Sequence, residues 1–148
     1  MLAEAIVCLA LNAYFEARNQ DIKGQIAVSQ VVMNRVESEY YPDTVCEVVF
    51  QGPTRPKWSN PDELIPVRHR CQFSWYCDGK SDEPKEKEAW QQAMNVAWAV
   101  YHGNLDDQVD GALWYHAYYV NPEWASHKQE TALVGDHIFY GWKKNVSD

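Results

Sequence analysis

The chain has 148 residues and a formal net charge of −8, with 21 Asp and Glu against 13 Lys and Arg. That balance excludes the clustered cations that nucleic-acid phosphates demand, and it speaks equally against adhesion to a polyanionic surface by charge alone. The length is that of one domain, which buries roughly 70% of its unfolded-chain surface, so residues 1–148 are expected to form a single unit.

The start of the chain is apolar but lacks the basic residues of a secretory signal, and Glu4 interrupts it. No signal peptide, no membrane insertion and synthesis in the cytoplasm are therefore expected. Leu2, Ala5, Ile6, Leu9 and Ala13 recur at the three-and-four spacing of one helix face, which predicts a helix over residues 2–17. A turn over 19–23 leads to a second helix from Gly24 to about Glu39, carrying Ile26, Ala27, Val31 and Met33. Asn34 and Arg35 interrupt its apolar run, and their expected work is to bind backbone carbonyls or a carboxylate. Thr44 and Glu47 match a capping box and predict a short helix through Phe50.

Pro53, Pro56, Pro61 and Pro66 punctuate residues 51–70, which read as an ordered loop or cleft rim. Phe73, Trp75 and Tyr76 then alternate with polar residues, and Asp78-Gly79 marks a turn. Pro84 suits a first helical position, with Ala89, Trp90, Ala93, Met94, Ala97 and Tyr101 forming a helix face that ends at Gly103. Gly111 precedes a strand-like stretch over 112–120, and Gly135-Asp136 reads as a hairpin turn between two further strands. The pattern is that of a mainly helical α+β chain with a small antiparallel sheet toward the C-terminus.

Glu16 continues the apolar face of the first helix, close to its C-terminal end. Lost hydration and the negative end of the helix dipole both favour the protonated carboxyl there. Such a group can serve as a general acid, although the same residue could be tied structurally to Arg18. The residues downstream add context. After Glu16-Ala17-Arg18 come Gly24-Gln25-Ile26-Ala27-Val28, Val31-Val32-Met33-Asn34-Arg35-Val36, Tyr41-Pro42-Asp43-Thr44-Val45-Cys46, Cys71-Gln72-Phe73-Ser74-Trp75, Gly111-Ala112 and Gly135-Asp136-His137-Ile138-Phe139-Tyr140. In this order the series resembles the SleB-like cell wall hydrolases, a family of spore-cortex lytic enzymes that also occurs among phage endolysins.

The resemblance implies a lysozyme-like fold, cleavage of peptidoglycan glycan strands, and Glu16 as catalytic acid. It favours a lytic transglycosylase, in which the same Glu later acts as base and the product is a 1,6-anhydro sugar. A hydrolytic muramidase would need a second carboxylate, for which Asp21, Asp43 and Asp78 are candidates. An endolysin would reach the wall with the help of a separate holin. Substrate contacts are expected from Phe73, Ser74, Tyr115, His116 and Trp124, since aromatic faces stack on sugars while hydroxyl and imidazole groups bond to them. Phe73, Trp75, Tyr118 and Phe139 also suit an ordinary core.

Five His and four Cys keep peptide-cutting chemistry in view, as a zinc amidase or as a Cys77–His116 peptidase. No His-Glu-x-x-His or Cys-x-x-Cys spacing occurs, so neither metal nor cofactor is expected. A noncatalytic wall-binding module is the other alternative, and oligomeric state is left open. Cys46, Cys71 and Cys77 flank the proline-rich stretch, and pairing of Cys46 with Cys71 or Cys77 would close it after export, leaving Cys8 as a free core thiol.

Overall fold

A computed structural model describes residues 2–143. Helix α1 spans Leu2–Ala17, an Ala- and Leu-rich run of high helical propensity, and buries Ile6, Leu9, Ala10, Ala13 and Tyr14. Helix α2, Ile22–Glu37, starts where the Asp21 carboxylate accepts the Gly24 N–H at 3.0 Å. Helix α3, Val45–Val49, has the expected Thr44 cap: its hydroxyl accepts the Glu47 N–H at 3.2 Å and donates to Glu47 Oε1 at 2.7 Å.

Helix α4, Lys87–Tyr101, begins three residues beyond Pro84. The Lys85 and Glu86 amides instead both donate to the Tyr14 hydroxyl at 3.2 Å, so this stretch ties the chain to α1 before the helix winds. Leu9, Ala13, Tyr14, Val32, Val48, Val49, Ala93 and Ala97 lie together in the main core, shared by the four helices.

Strands β1 (Thr54–Lys57) and β2 (Asn60–Pro66) form an antiparallel hairpin where the sequence predicts a loop. Nearly all of it is exposed, so no apolar alternation signals it, and prolines are tolerated because both strands are edges. Residues Ser74–Cys77 form a turn of 3-10 helix, burying Trp75 and Cys77. Strand β3 is Trp114–Ala117, shorter than expected because the Val120 N–H closes a turn onto Ala117 O at 3.1 Å. A short 3-10 helix, Glu123–His127, leads to β4 (Gln129–Val134) and β5 (His137–Gly141), joined by the expected turn at Gly135-Asp136.

The sheet is antiparallel in the order β3-β5-β4. Its register pairs Tyr115 with Phe139 and Ala117 with His137, so these four residues share one face, while Trp114, Tyr140, His116 and Ile138 share the other. A second core of Ala17, Ala27, Val28, Val31, Val109, Ala112 and Phe139 joins the first face to α1 and α2. Glu16 sits beside this seam.

The disulfides correct the expected pairing. Cys8 bonds to Cys46 and Cys71 bonds to Cys77. Cys8 is thus not a free thiol: α3 packs beside α1 and brings Cys46 to it, whereas Cys71 and Cys77 meet across the turn between them. Closing a span of 38 residues, the Cys8–Cys46 link should contribute about 4 kcal/mol through the unfolded state. Replacing both by Ser is expected to lower the unfolding free energy by about that amount in denaturant titration. Peptide mapping without reduction should recover the two observed pairs, and a peptide joining Cys46 to Cys71 or Cys77 would contradict them.

Candidate active site

The Glu16 carboxyl lies where the C-terminal end of α1 meets β3. Asn12 stands one turn earlier on the same helix and is fully buried. Its side-chain carbonyl accepts the Trp75 indole N–H at 2.8 Å. The Tyr115 hydroxyl donates to Glu16 Oε1. Helix α1 is thus tied to two elements distant from it in sequence, one of them through the Glu16 carboxyl.

Helix α2 fixes the strand that carries Tyr115. Asn34 donates to Ala112 O at 2.9 Å and Arg35 donates through Nε to Leu113 O at 2.7 Å, in keeping with the carbonyl-binding work expected of both. The Arg35 guanidinium is buried between the rings of Tyr41 and Phe73, at 4.8 and 5.1 Å from their centroids. Burial disfavours its charge and lowers its pKa.

Glu16 feels opposed influences. Desolvation raises its pKa and prevails, while the Tyr115 hydrogen bond and the Arg35 charge pull it down. Tyr115 itself is held well above its ordinary value, first by desolvation and then by the Glu16 charge, so its phenol stays protonated and remains a donor. A carboxyl set in this way is protonated more readily than an exposed glutamate, yet its anion has a partner waiting. Donation followed by recovery of a proton is the chemistry such a group can do.

A cleft of about 300 Å³ opens at Glu16, lined among others by Phe15, Arg18, Gln20, Tyr119, Asp136 and His137. A second hollow of about 270 Å³ adjoins it, sharing Phe15 and Arg18 and reaching Trp75, Asp78 and Lys80. A larger apolar hollow of about 510 Å³ lies apart, around Ile22, Ile26, Val96 and Leu105, and brings no partner to Glu16.

The residues expected to contact substrate separate into groups. Phe73 is 3% exposed and stacks on Tyr115 beneath Arg35, so it braces the site from within. Ser74 is exposed at the start of the 3-10 helix and does not line the Glu16 cleft. Tyr115 directs its hydroxyl to Glu16 and packs its ring among Phe73, His137 and Phe139. His116 and Trp124 lie on the opposite face of the sheet, where His116 Nε2 meets the Tyr140 hydroxyl at 2.8 Å and Trp124 packs on both rings. The alternation of strand side chains is the reason: Tyr115 and His116 cannot face the same way.

The candidate second carboxylates also move. Asp21 is engaged as the α2 cap, and Asp43 is exposed beside α3, whose Cys46 is bonded to Cys8, about 12 Å along α1 from Glu16 at helical rise. Asp78 lines the adjoining hollow. The aspartate lining the Glu16 cleft is Asp136, which sequence spacing did not single out. Asn12 and His137 were missed likewise, since a buried Asn inside an apolar helix was the one local sign available. The Cys77–His116 pairing has no nucleophile, because Cys77 is bonded to Cys71. Among the described residues no three His, Cys, Asp or Glu side chains gather as metal ligands.

Residues 19–140 match the family model described as Cell Wall Hydrolase. The chain belongs to that family. Curated relatives include the spore cortex-lytic enzyme of Oceanobacillus iheyensis, 31% identical over 142 residues that cover 90% of this chain and 40% of the relative. That of Bacillus subtilis is 29% identical over 139 residues, covering 88% of this chain and 35% of the relative. The chain therefore spans about two fifths of the length of these relatives or less. Among solved structures, the catalytic domain of the germination-specific lytic transglycosylase SleB from Bacillus anthracis superposes with a TM-score of 0.68 at 25% identity, covering 93% of each chain. The fold of this family member is thus the lysozyme-like, mainly helical α+β arrangement of that domain.

Burial of Glu16 carries a stability signature. The folded chain holds the Glu16 proton more tightly than the unfolded chain, so the native state binds more protons between the ordinary glutamate pKa and the raised one. Stability should therefore fall as pH rises through that window, and Glu16→Gln should remove this component. Thermal unfolding across a pH series is expected to show Glu16→Gln gaining on the wild type as pH rises and then levelling. A difference independent of pH would contradict the raised pKa.

Proposed function

We propose that this chain degrades peptidoglycan by cutting its glycan strand, as a lytic transglycosylase with Glu16 as acid and then base. The observation that carries this reading is the carboxyl of Glu16, desolvated at a cleft and hydrogen-bonded by Tyr115. Membership of the cell wall hydrolase family and likeness to the SleB catalytic domain support it.

In this reading protonated Glu16 donates to the glycosidic oxygen as the bond from the muramyl C1 breaks. The resulting carboxylate is stabilised by Tyr115 and by the Arg35 charge. It then takes the proton from the muramyl C6 hydroxyl, whose oxygen closes on C1. No water is consumed, and Glu16 ends as it began.

A hydrolytic muramidase is the second reading, favoured by Asp136, a carboxylate lining the same cleft. Action would be at the cell wall in either case. The pairing of all four described cysteines supports an oxidising place of action. An endolysin role with delivery through a separate holin belongs to the proposal.

Glu16→Gln is nearly isosteric and cannot donate the carboxyl proton, so turnover of purified peptidoglycan should drop by about 10² to 10⁴ with the fold intact by circular dichroism. Digestion in ¹⁸O-labelled water distinguishes the two readings. Unlabelled anhydro-muramic ends are expected by mass spectrometry. Labelled reducing ends as primary products would establish hydrolysis and direct attention to Asp136, and new amino groups without glycan ends would refute both.

A further inference from the structure

The β1–β2 ribbon takes no part in the Glu16 site, yet it carries a residue that folding does not explain. Trp58 sits with Ser59 in the turn between Lys57 and Asn60 and is 94% exposed. Such turns favour Gly, Asn and Asp for their backbone freedom, and an indole contributes to stability only where its rings are buried. Among the described residues no ring contact or hydrogen bond engages the Trp58 side chain. Leu64, opposite Pro56 in the register, is 64% exposed as well.

The tip of the ribbon is free, but its base is held. The Val67 N–H donates to Pro53 O, the His69 N–H to Cys77 O and the Gln72 N–H to Gln51 O, each at 2.9 Å. The Cys71–Cys77 disulfide closes the segment on which the ribbon stands. Trp75 of that segment lines the hollow beside the Glu16 cleft, together with Asp78 just beyond it. Five residues of extended chain from Pro53 carry Trp58 up to about 17 Å from the base.

Charge sets the ribbon apart too. In residues 51–70 Arg55, Lys57, Arg68 and Arg70 outnumber Asp62 and Glu63, although the whole chain has a net charge of −8. Lys57 meets Glu63 at 3.5 Å, but among the described residues Arg55, Arg68 and Arg70 have no carboxylate partner. A polymer that suits this surface offers C–H faces on which an indole can stack and anionic groups for the guanidinium ions. Peptidoglycan has both, in the pyranose rings of its strands and the free carboxylates of its stem peptides. Lipid headgroups would meet the same cations. The ribbon, however, is continuous with the rim of a cleft read as a glycan site, and the acidic chain behind it is repelled by an anionic bilayer.

We propose that the β1–β2 ribbon is a second peptidoglycan-binding element, with Trp58 stacking on a sugar ring outside the Glu16 cleft and Arg55 pairing with stem-peptide carboxylates. It would keep the enzyme on the insoluble wall between cuts. This rests on the reading of peptidoglycan as the substrate, and it adds where, apart from the cleft, the wall is held.

Binding is read by co-sedimentation with purified sacculi in the Glu16→Gln background, so that the wall is not consumed. Adding Trp58→Ala should raise the Kd by about fivefold or more, as loss of one stacked aromatic does. Trp58→Phe keeps a ring and should recover part of the affinity, while Arg55→Gln should reduce the salt dependence of binding. These positions are exposed, so the fold should persist by circular dichroism. With Glu16 intact, Trp58→Ala should turn over sacculi more slowly but short soluble glycan fragments, which the cleft alone accommodates, at the wild-type rate. Unchanged sacculus affinity in Trp58→Ala, or an equal loss of rate on sacculi and short fragments, would overturn the inference. Trp58-dependent binding to vesicles of phosphatidylglycerol and phosphatidylethanolamine, with sacculus binding intact, would overturn it in favour of a membrane contact. Release of new glycan ends by the wild type in any of these cases would leave glycan cleavage standing, whereas neither glycan ends nor sacculus binding would overturn both.

Discussion

The hydrogen bond from Tyr115 to Glu16 joins a helix near the beginning of the chain to a strand near its end, and the rest of the site is arranged to make it. Asn12, one turn back along α1, is held by the Trp75 indole. Asn34 and Arg35 grip the backbone just before Tyr115, setting where β3 runs against the helices. Loss of any of these contacts would leave a buried polar group unpaired, which is dearer than the contact itself is worth. The network therefore fixes geometry more than it adds stability.

Its electrostatics follow from depth. At the surface, a glutamate beside a tyrosine and near an arginine would be an ordinary anion. Under desolvation the same neighbours act as a counterweight, so that the proton is held but can be surrendered. This balance suits one carboxyl to act as both acid and base in the proposed reaction. Arg35 is central to it, because its buried charge bears on Glu16 while its Nε spans to the Leu113 carbonyl.

Much of this was legible from residue order. Helix α1 follows from its periodicity, α3 from Thr44 and Glu47, the final hairpin from Gly135-Asp136, and the backbone-binding work of Asn34 and Arg35 from two polar residues breaking an apolar run. The first hairpin was not legible, because an exposed two-stranded ribbon has no buried face to impose alternation. Residue order does not say which side of a strand a residue takes, and that decides which side chains can line the Glu16 cleft. Adjacent aromatic residues such as Tyr115 and His116 look equivalent in sequence and stand on opposite faces in the sheet. Asp136 is clamped at the cleft by Gln20, a contact between residues 116 apart that local spacing cannot reveal.

The central claim is that burial holds the Glu16 proton while Tyr115 moderates that hold. Its most direct test is a ¹³C NMR titration of side-chain-labelled glutamate, with the Glu16 resonance assigned by its loss in Glu16→Gln. The account predicts that Glu16 titrates above the ordinary glutamate range in the wild type and higher still in Tyr115→Phe, which lacks the donor that favours the anion. Titration at or below the ordinary range, or a downward shift in Tyr115→Phe, would contradict it.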